Sequence, residues 1–413
     1  MQPPLTAARE RYLLFTLAGI QFTHILDFMV MIPLGPILIK AFGIGTHQFG
    51  FLVASYSFSA ALSGLLATTF VDKFERKRLL LVAFLLFGLA TLACGLAPGF
   101  ATLLVARGLA GAFGGVMGAM VQTVAGDLIP FERRARASGT IMAAFSLSTI
   151  AGVPLSLWLA NHFQWRAPFI LITGLTILFI AIGLRTLPEM RHHISADKNT
   201  HPFVALFSVL RDANHLRALL FTALIMFSGF TVIPYLTIYA VGNVGISQHQ
   251  IPFVYLAGGA ATLISARLIG YWADLRGKIR IYRAVAIGAM LPLFLVTHSG
   301  IVPLWLWLVF TTTFIALVSG RMIPAMAIIS SAAQPKLRGT FMSLNASMQQ
   351  LASGIASVIA GFIISQNSAQ QIVGYGAVGY VAMAANMLAI LYASRIVLRD
   401  ASSASSALDV VPK

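Results

Sequence analysis

Charge is what this sequence has least of. Only 10% of its 413 residues are charged, against roughly 25% in a soluble domain, so a water-exposed surface of ordinary polarity cannot be built from it. Acidic residues are the scarcer kind: 12 Asp and Glu stand against 28 Lys and Arg, a formal net charge of +16. The single cysteine, Cys94, excludes an intramolecular disulfide and any thiolate metal or redox motif; it lies in an apolar run and reads as a small packing residue. The nine histidines are scattered along the chain, without the clustered His, Asp or Glu ligands of a polytopic membrane enzyme, so an enzyme is not expected. A cleavable signal is not expected either. The apolar run after Arg9 and Arg11 is far longer than a signal-peptide core, and no small-residue cleavage pattern follows it.

What the chain has instead is apolar length: 58% of its residues are hydrophobic, gathered in runs long enough to cross a hydrocarbon core of roughly 30 Å. Twelve such segments are predicted. The first six fall at about Tyr12–Leu38, Phe49–Phe70, Leu79–Leu96, Thr102–Ile129, Ala137–Ala160 and Ala167–Leu187. The second six fall at about Leu216–Val241, Ile251–Ala273, Ile281–Thr297, Val302–Ser330, Gly339–Ser365 and Gly374–Val397. The fold class expected is an all-α membrane protein: a six-helix bundle over 1–187, a polar central loop over 188–215, a second six-helix bundle over 216–400, and a Ser- and Ala-rich disordered tail over 401–413. Its medium is the lipid bilayer.

The basic residues are placed very unevenly along this threading. With the N-terminus inside, one face receives Lys73, Arg76–Arg78, Arg133, Arg134, Arg136, the central loop, Arg276, Lys278, Arg280, Arg283, Lys336 and Arg338. The other receives only Lys40 and Arg166. The positive-inside rule makes the rich face cytoplasmic, with both termini on it. That asymmetry accounts for the net charge without a nucleic-acid partner. The two halves also repeat: Asp72-Lys-Phe-Glu-Arg-Lys-Arg78 after segment 2 is echoed by Gly270-Tyr-Trp-Ala-Asp274-Leu-Arg-Gly-Lys278 after segment 8. Likewise Gly139-Thr-Ile-Met142 in segment 5 is echoed by Gly339-Thr-Phe-Met342 in segment 11. Parallel repeats of this kind place a substrate site between the halves near the midplane.

These motifs resemble the major facilitator superfamily over essentially the whole chain. Asp72, Lys73, Arg76 and Lys77 match the loop pattern G-x-x-x-D-[RK]-x-G-R-[RK], with Thr68 and Glu75 where its glycines fall; the copy around Gly270, Asp274 and Gly277 is closer. Arg107-Gly-Leu-Ala-Gly111 in segment 4 is similar to the family's R-x-x-x-G. Gly152-Val-Pro154-Leu-Ser in segment 5 resembles the glycine-proline motif of the drug and sugar efflux branch, whose members are proton antiporters, with Ser148 and Ser156 in place of two glycines. The resemblance implies a monomer in the bacterial cytoplasmic (inner) membrane and alternating access. It implies that Asp72 faces the start of segment 11, that Arg76 approaches Asp127, and that these pairings with Asp274 act as a conformational latch. Gly152 and Pro154 would shape the seam along which the halves rock.

Only one carboxylate lies deep in an apolar segment, Asp27, and an Asp at a helix centre costs roughly 2.5–3.5 kcal/mol on insertion scales. Gln21, His24 and Asp27 are spaced by three and share a helix face, expected to open on a wet cavity. The resemblance implies Arg107 as the partner of Asp27, since segments 1 and 4 line the same cavity. Asp27 then either exchanges a proton during transport or holds helices together permanently; His24 reads as a hydrogen-bonding neighbour. Arg267 and Arg321, with Arg107, would make the cavity positive and suited to anions unless they face carbonyl groups. Tyr235, Tyr239, Tyr255, Asn345 and Gln349 are the polar candidates for the second half of the cavity. Gly111, Gly114, Gly115 and Gly118 read as close-packing positions, and Pro154, Pro234 and Pro324 as bends. The function expected is a proton-coupled efflux antiporter for small organic molecules; an uptake symporter or uniporter is the alternative. The substrate is a small molecule, the coupling ion a proton. No cofactor is expected beyond the proton gradient as energy source.

Overall fold

The computed structural model describes residues 7–129, 131–190, 202–368 and 371–399. Among them, twelve helical spans are long and apolar enough to cross a membrane. In chain order these are α1 (Ala8–Val30), α2 (Thr46–Phe70), α3 (Arg76–Gly95), α4 (Phe100–Leu128), α5 (Ala137–His162), α6 (Ala167–Thr186), α7 (Ala213–Val244), α8 (Gln248–Arg276), α9 (Lys278–His298), α10 (Leu304–Ala332), α11 (Pro335–Ile363) and α12 (Tyr375–Ala393). Their lengths follow from a rise of 1.5 Å per residue in a helix whose backbone must satisfy itself in lipid. The end of the bundle where α1 begins and the loops carry Arg and Lys is called the basic face below.

The expected twelve spans are all present. The first is shorter than expected: the chain leaves α1 at Val30, turns through Met31–Leu34, and starts a separate short helix, Gly35–Phe42. Pro33 and Pro36 explain this break, since proline disfavours helical geometry in the residue before it and lacks the N–H that would continue the ladder. The central stretch is not all loop. A helix at Pro202–Arg211 buries Val209 against the second half and exposes Val204 and Phe207. Residues 191–201 of that stretch and the tail 401–413 lie outside the described residues. Between α11 and α12, Ser365–Gln366 pairs antiparallel with Ile372–Val373, and the Asn243 side chain bonds both backbone groups of Ile372.

The expected bends take distinct forms. In α5 the helix Phe131–Leu147 passes through a π-helical turn, Ser148–Gly152, and resumes at Val153. Pro154 cannot donate to the carbonyl of Ile150, and the wider turn absorbs the misfit. Pro234 sits in a 3-10 turn, Ile233–Tyr235, within α7. In α10 the break falls at Arg321, three residues before Pro324. Glu75, which occupies a family glycine position, caps α3. Its carboxylate accepts from Lys77 N at 3.0 Å and Arg78 N at 2.7 Å, and from Met190 N at 2.9 Å across the end of α6. Burial raises the Glu75 pKa, but those three backbone donors outweigh it and hold the carboxyl below its usual range.

Helices α1–α6 pack with one another, and α7–α12 likewise, while the halves meet along two seams: α2 with α11 and α5 with α8. Small residues set the approach. A Cβ on Gly111 would lie 2.2 Å from the Tyr56 carbonyl oxygen, and one on Gly115 would lie 2.4 Å from that of Ala60, so only glycine lets α4 sit this close to α2. Gly118 does not share this role, having nothing within 4 Å of its Cβ position. Opposite the basic face the halves are tied by hydrogen bonds: Thr46 donates to the Ile364 carbonyl at 2.8 Å, Asn161 to that of Gln248 at 3.2 Å, and Gln248 to that of Pro33 at 3.4 Å.

Candidate functional site

Asp27 sits at the centre of the first bundle with no solvent exposure, and so does Arg107. The Arg107 guanidinium donates to Asp27 Oδ2 at 2.7 Å and also reaches the Asp27 backbone carbonyl at 3.5 Å. Thr91, from α3, donates to the other carboxylate oxygen at 3.2 Å. Above the pair lies Tyr56 of α2, whose ring is 4.4 Å from the Arg107 guanidinium carbon, a cation–π distance. Four helices therefore converge on one ion pair. It is a sealed arrangement, and the expected wet cavity face is corrected accordingly: Asp27 is enclosed by protein, while Gln21 and His24, earlier in α1, are partly exposed.

The enclosure leaves polar capacity unused. Both His24 ring nitrogens, the Tyr56 hydroxyl, and Nε and one terminal nitrogen of Arg107 are buried without a hydrogen-bond partner. His24 stacks on Tyr56 at 6.3 Å and meets Phe87 edge-on at 6.0 Å. Gly114 makes room for both groups, since a Cβ there would lie 2.6 Å from the Tyr56 hydroxyl and 2.9 Å from His24 Nε2. Buried unpaired polar atoms are costly, and their clustering around a buried ion pair makes this the candidate functional site.

The second bundle holds a different buried cation. Arg321, also without solvent exposure, donates to the Asn386 side chain, to the Ile225 carbonyl at 3.1 Å and to Ser228 Oγ at 3.4 Å. It faces a carbonyl and neutral side chains between α7, α10 and α12, so it does not line a positive cavity here. Arg267 differs: it is exposed on α8. The tyrosines are not cavity groups in this conformation either. Tyr235 is buried and donates to the Ser357 carbonyl at 2.8 Å and the Thr46 carbonyl at 3.4 Å, on the inter-half seam. Tyr239 donates to the Ser299 carbonyl at 2.7 Å, and Tyr255 shares a hydrogen bond with Thr237 at 3.0 Å. Asn345 is buried and accepts from Thr222 at 2.6 Å; Gln349, one turn on, stays partly exposed. Tyrosine in a membrane helix has two uses, lining water or closing a seam, and spacing alone cannot separate them.

At the basic face, Arg76 is buried and paired with the exposed carboxylate of Asp127 at the end of α4. The side chain of Asp72 lies outside the described residues. Asp274 is exposed and makes no ion pair among them, so the second loop motif is not engaged. Gly152 presses on Leu26 of α1, where a Cβ would lie 2.7 Å from Leu26 Cδ1, and Ser148 in the same π turn donates to the Phe22 carbonyl at 3.1 Å. Pro154 follows directly, so the Gly-Val-Pro motif shapes the contact between α5 and the helix that carries Asp27. Tyr56, Thr91 and Asn386 escaped the sequence reading. A lone Thr or Tyr in an apolar run carries no mark of what it faces, because threonine commonly bonds its own helix backbone, as Thr176 does to Ile172.

A sequence model described as Major Facilitator Superfamily matches residues 17–357 and 218–409. Among characterised and uncharacterised relatives, the MFS-type transporter YbcL of Bacillus subtilis is 27% identical over 372 residues, covering 87% of this chain and 90% of its own. Multidrug resistance protein 2 of the same organism is 23% identical over 361 residues, covering 84% and 87%. The crystal structure of a bacterial homologue of the human lysosomal transporter Spinster, inward-facing and occupied, superposes with a TM-score of 0.73 at 14% identity, over 95% of this chain and 98% of that one. The nucleoside transporter NupG does so with 0.73 at 11% identity, over 94% and 99%. With twelve membrane-length helices in this arrangement and a family match over most of its length, the chain belongs to the major facilitator superfamily, whose members it resembles as a multi-pass secondary transporter.

Proposed function

We propose that the protein is a proton-coupled efflux antiporter for small organic molecules in a bacterial cytoplasmic membrane, with the basic face and both termini cytoplasmic. The observation that carries this reading is the fully buried Asp27–Arg107 pair bordered by unsatisfied polar atoms of His24 and Tyr56. A carboxylate held only by one arginine and one threonine is neutralised by a single proton. Protonation breaks the ion pair that ties α1 to α4, so the packing of these helices around the site changes with the proton. Proton arrival and solute departure are thereby linked through one set of contacts. The glycine-proline motif in α5, which touches α1 at Leu26, couples that exchange to the seam between the halves. Export is the direction favoured by the efflux-type motif and by similarity to a multidrug resistance protein.

In proteoliposomes with an imposed pH gradient, Asp27→Asn is expected to abolish gradient-driven transport while the protein stays folded by thermal denaturation. Undiminished gradient-driven transport in that variant would refute Asp27 as the coupling group. The sign of proton movement separates export by antiport from uptake by symport: solute export must alkalinise the compartment from which solute leaves only if protons travel with it, and acidify it if they travel against it.

A further inference from the structure

The face opposite the basic one carries no carboxylate. The segments that join helices there, residues 31–45, 96–99, 163–166, 245–247, 299–303 and 364–374, contain no Asp or Glu. Hard cations such as Ca²⁺ and Mg²⁺, which are bound through carboxylate and other oxygens, find no acidic ligand on it. What this face has is imidazole, and two of its histidines meet. His162 ends α5 in the first half, and His249 lies in the 3-10 turn that opens α8 in the second. Their rings stand 6.2 Å apart across the seam, at an angle of 75°.

Both side chains are exposed, and the backbone around them is fixed. The His162 ring lies against Trp158 at 4.6 Å, and its Nδ1 is 2.9 Å from the Trp158 carbonyl oxygen. A carbonyl only accepts, so Nδ1 carries the hydrogen and Nε2 keeps its lone pair. Metal-ligating histidines use this arrangement, one nitrogen for the ion and the other anchored to a carbonyl. His249 has no hydrogen-bond or ion-pair partner among the described residues. Its turn is held by Gln250, whose side chain accepts from Ser247 N at 3.0 Å. The neighbours of the two histidines are tied to each other, Asn161 donating to the Gln248 carbonyl at 3.2 Å. Gln248 Oε1 is buried without a partner and offers an acceptor for an ion-bound water. The one cation in the loop after His162, Arg166, is folded over the Trp165 ring at 5.0 Å.

Two imidazoles that share one ion through Zn–N bonds of about 2.0–2.1 Å have ring centres roughly 5–6.5 Å apart, depending on the angle at the metal. The observed separation lies within that range. We propose that His162 and His249 form a bridging site for a divalent transition-metal ion of the Zn²⁺, Cu²⁺ or Ni²⁺ class, with water completing its coordination, that staples the two halves together on this face. Imidazole suits these ions, and none of them requires a carboxylate. Parting of the halves on this face separates the ligands, so the ion binds one conformation in preference to the other and shifts the equilibrium towards it. The binding site stands on the geometry alone; that the ion arrests transport rests on the alternating-access reading above.

The test uses the full-length protein in nanodiscs with any affinity tag removed. With Cu²⁺ as probe, electron paramagnetic resonance is expected to show coupling to two imidazole nitrogens at one ion per protein. In thermal denaturation the midpoint is expected to rise with added Zn²⁺ and not with Ca²⁺. His162→Gln and His249→Gln should each weaken the Zn²⁺ response by at least about tenfold, since loss of even an outer partner of a metal ligand is felt on that scale. His298→Gln is the control: it is on the same face but packs on Phe294 and Tyr380, and the response should persist. In proteoliposomes, Zn²⁺ on the side of this face should slow exchange in the wild type and spare both ligand variants. Coupling to one nitrogen only, or a Zn²⁺ response that survives in folded His249→Gln, overturns the bridge and leaves an adventitious ion on a surface histidine. Two-nitrogen binding with exchange unslowed overturns the staple. Should a ligand variant fail to fold, the nitrogen count in the wild type decides. Asp27→Asn is expected to keep the Zn²⁺ response, so failure of this site and failure of the antiport reading are told apart.

Discussion

At the scale of single residues, the energetics of this protein turn on charges that lie in helices or at their ends. Arg107 and Asp27 compensate each other in a medium that solvates neither. Removing one partner leaves the other buried and unpaired, at a cost of about 3–5 kcal/mol. Arg107→Ala is therefore expected to destabilise the protein by that amount in a denaturation experiment. Adding Asp27→Asn to the same variant should restore a large part of it, because the second change removes the orphaned charge. A double mutant no more stable than Arg107→Ala would mean that lost packing, and not charge, accounts for the loss. Asp212, at the start of α7, is the water-accessible counterpart. It caps Asn214 N at 2.8 Å and accepts from Arg399 at 2.8 and 3.2 Å, tying the last described residues of the chain to α7. Burial raises its pKa, but the Arg399 guanidinium and the Asn214 and His215 backbone donors pull it further the other way, down to about 2 from 3.8. A folded value below the unfolded one stabilises above the unfolded value, and that stabilisation is lost as pH falls through the folded one. The thermal midpoint of the wild type should therefore drop between about pH 4 and pH 2 by more than that of Asp212→Asn, whose side chain does not titrate. Parallel midpoints across that window would remove the junction from the account of stability.

Among the elements, small residues and prolines do the shaping. In lipid the hydrophobic effect does not hold one helix to another, so close van der Waals approach and interhelical hydrogen bonds do. The α2–α4 contact depends on this: Gly111→Ala would place a methyl group 2.2 Å from the Tyr56 carbonyl oxygen. Overpacking of this kind costs about 1–3 kcal/mol, and it would also shift Tyr56 from above Arg107. Gly118→Ala, with open space at its Cβ position, is the control and should be neutral in the same assay. Equal destabilisation by the two would show that helix 4 tolerates no substitution for reasons unrelated to α2. The interruptions in α5, α7 and α10 follow from proline chemistry that is visible in the sequence, yet their forms are not. A π turn, a 3-10 turn and a break at Arg321 arise from the same missing donor because each helix meets different neighbours.

Over the whole molecule, the halves are tied by hydrogen bonds on the side opposite the basic face. Thr46 and Asn161 each contribute one hydrogen bond across the closed side. Each is worth about 0.5–1.5 kcal/mol, so Thr46→Val and Asn161→Leu should each move the opening equilibrium by about two- to twelvefold toward exposure of that face. Cysteines introduced at Gly43 and Gly300 in a Cys94→Ser background would report this by their labelling rates. Cys94 itself is buried. Unchanged rates in both variants would mean that apolar packing alone keeps that side shut. The repeats at Asp72 and Asp274 also diverge at this scale: the first motif has its Arg76–Asp127 pair made, while Asp274 is left exposed.

Composition and the long apolar runs alone determined the medium and the twelve crossings, because a chain with so little charge has few ways to satisfy its backbone in lipid; the family was legible only through the resemblance of its loop and helix motifs. They also singled out Asp27, since a lone carboxylate in a membrane helix is conspicuous wherever it faces. Its pairing with Arg107 was implied by family likeness, and the structure gives the distance. Tertiary structure alone decided which polar groups meet water. Tyr235 closes a seam, Arg321 turns to a carbonyl and an asparagine, Thr91 bonds a carboxylate on another helix, and Arg267 is exposed on α8. The physical reason is rotation about the helix axis: one step along the chain turns a side chain by about 100°, and what it then faces depends on the packing of helices far away in sequence.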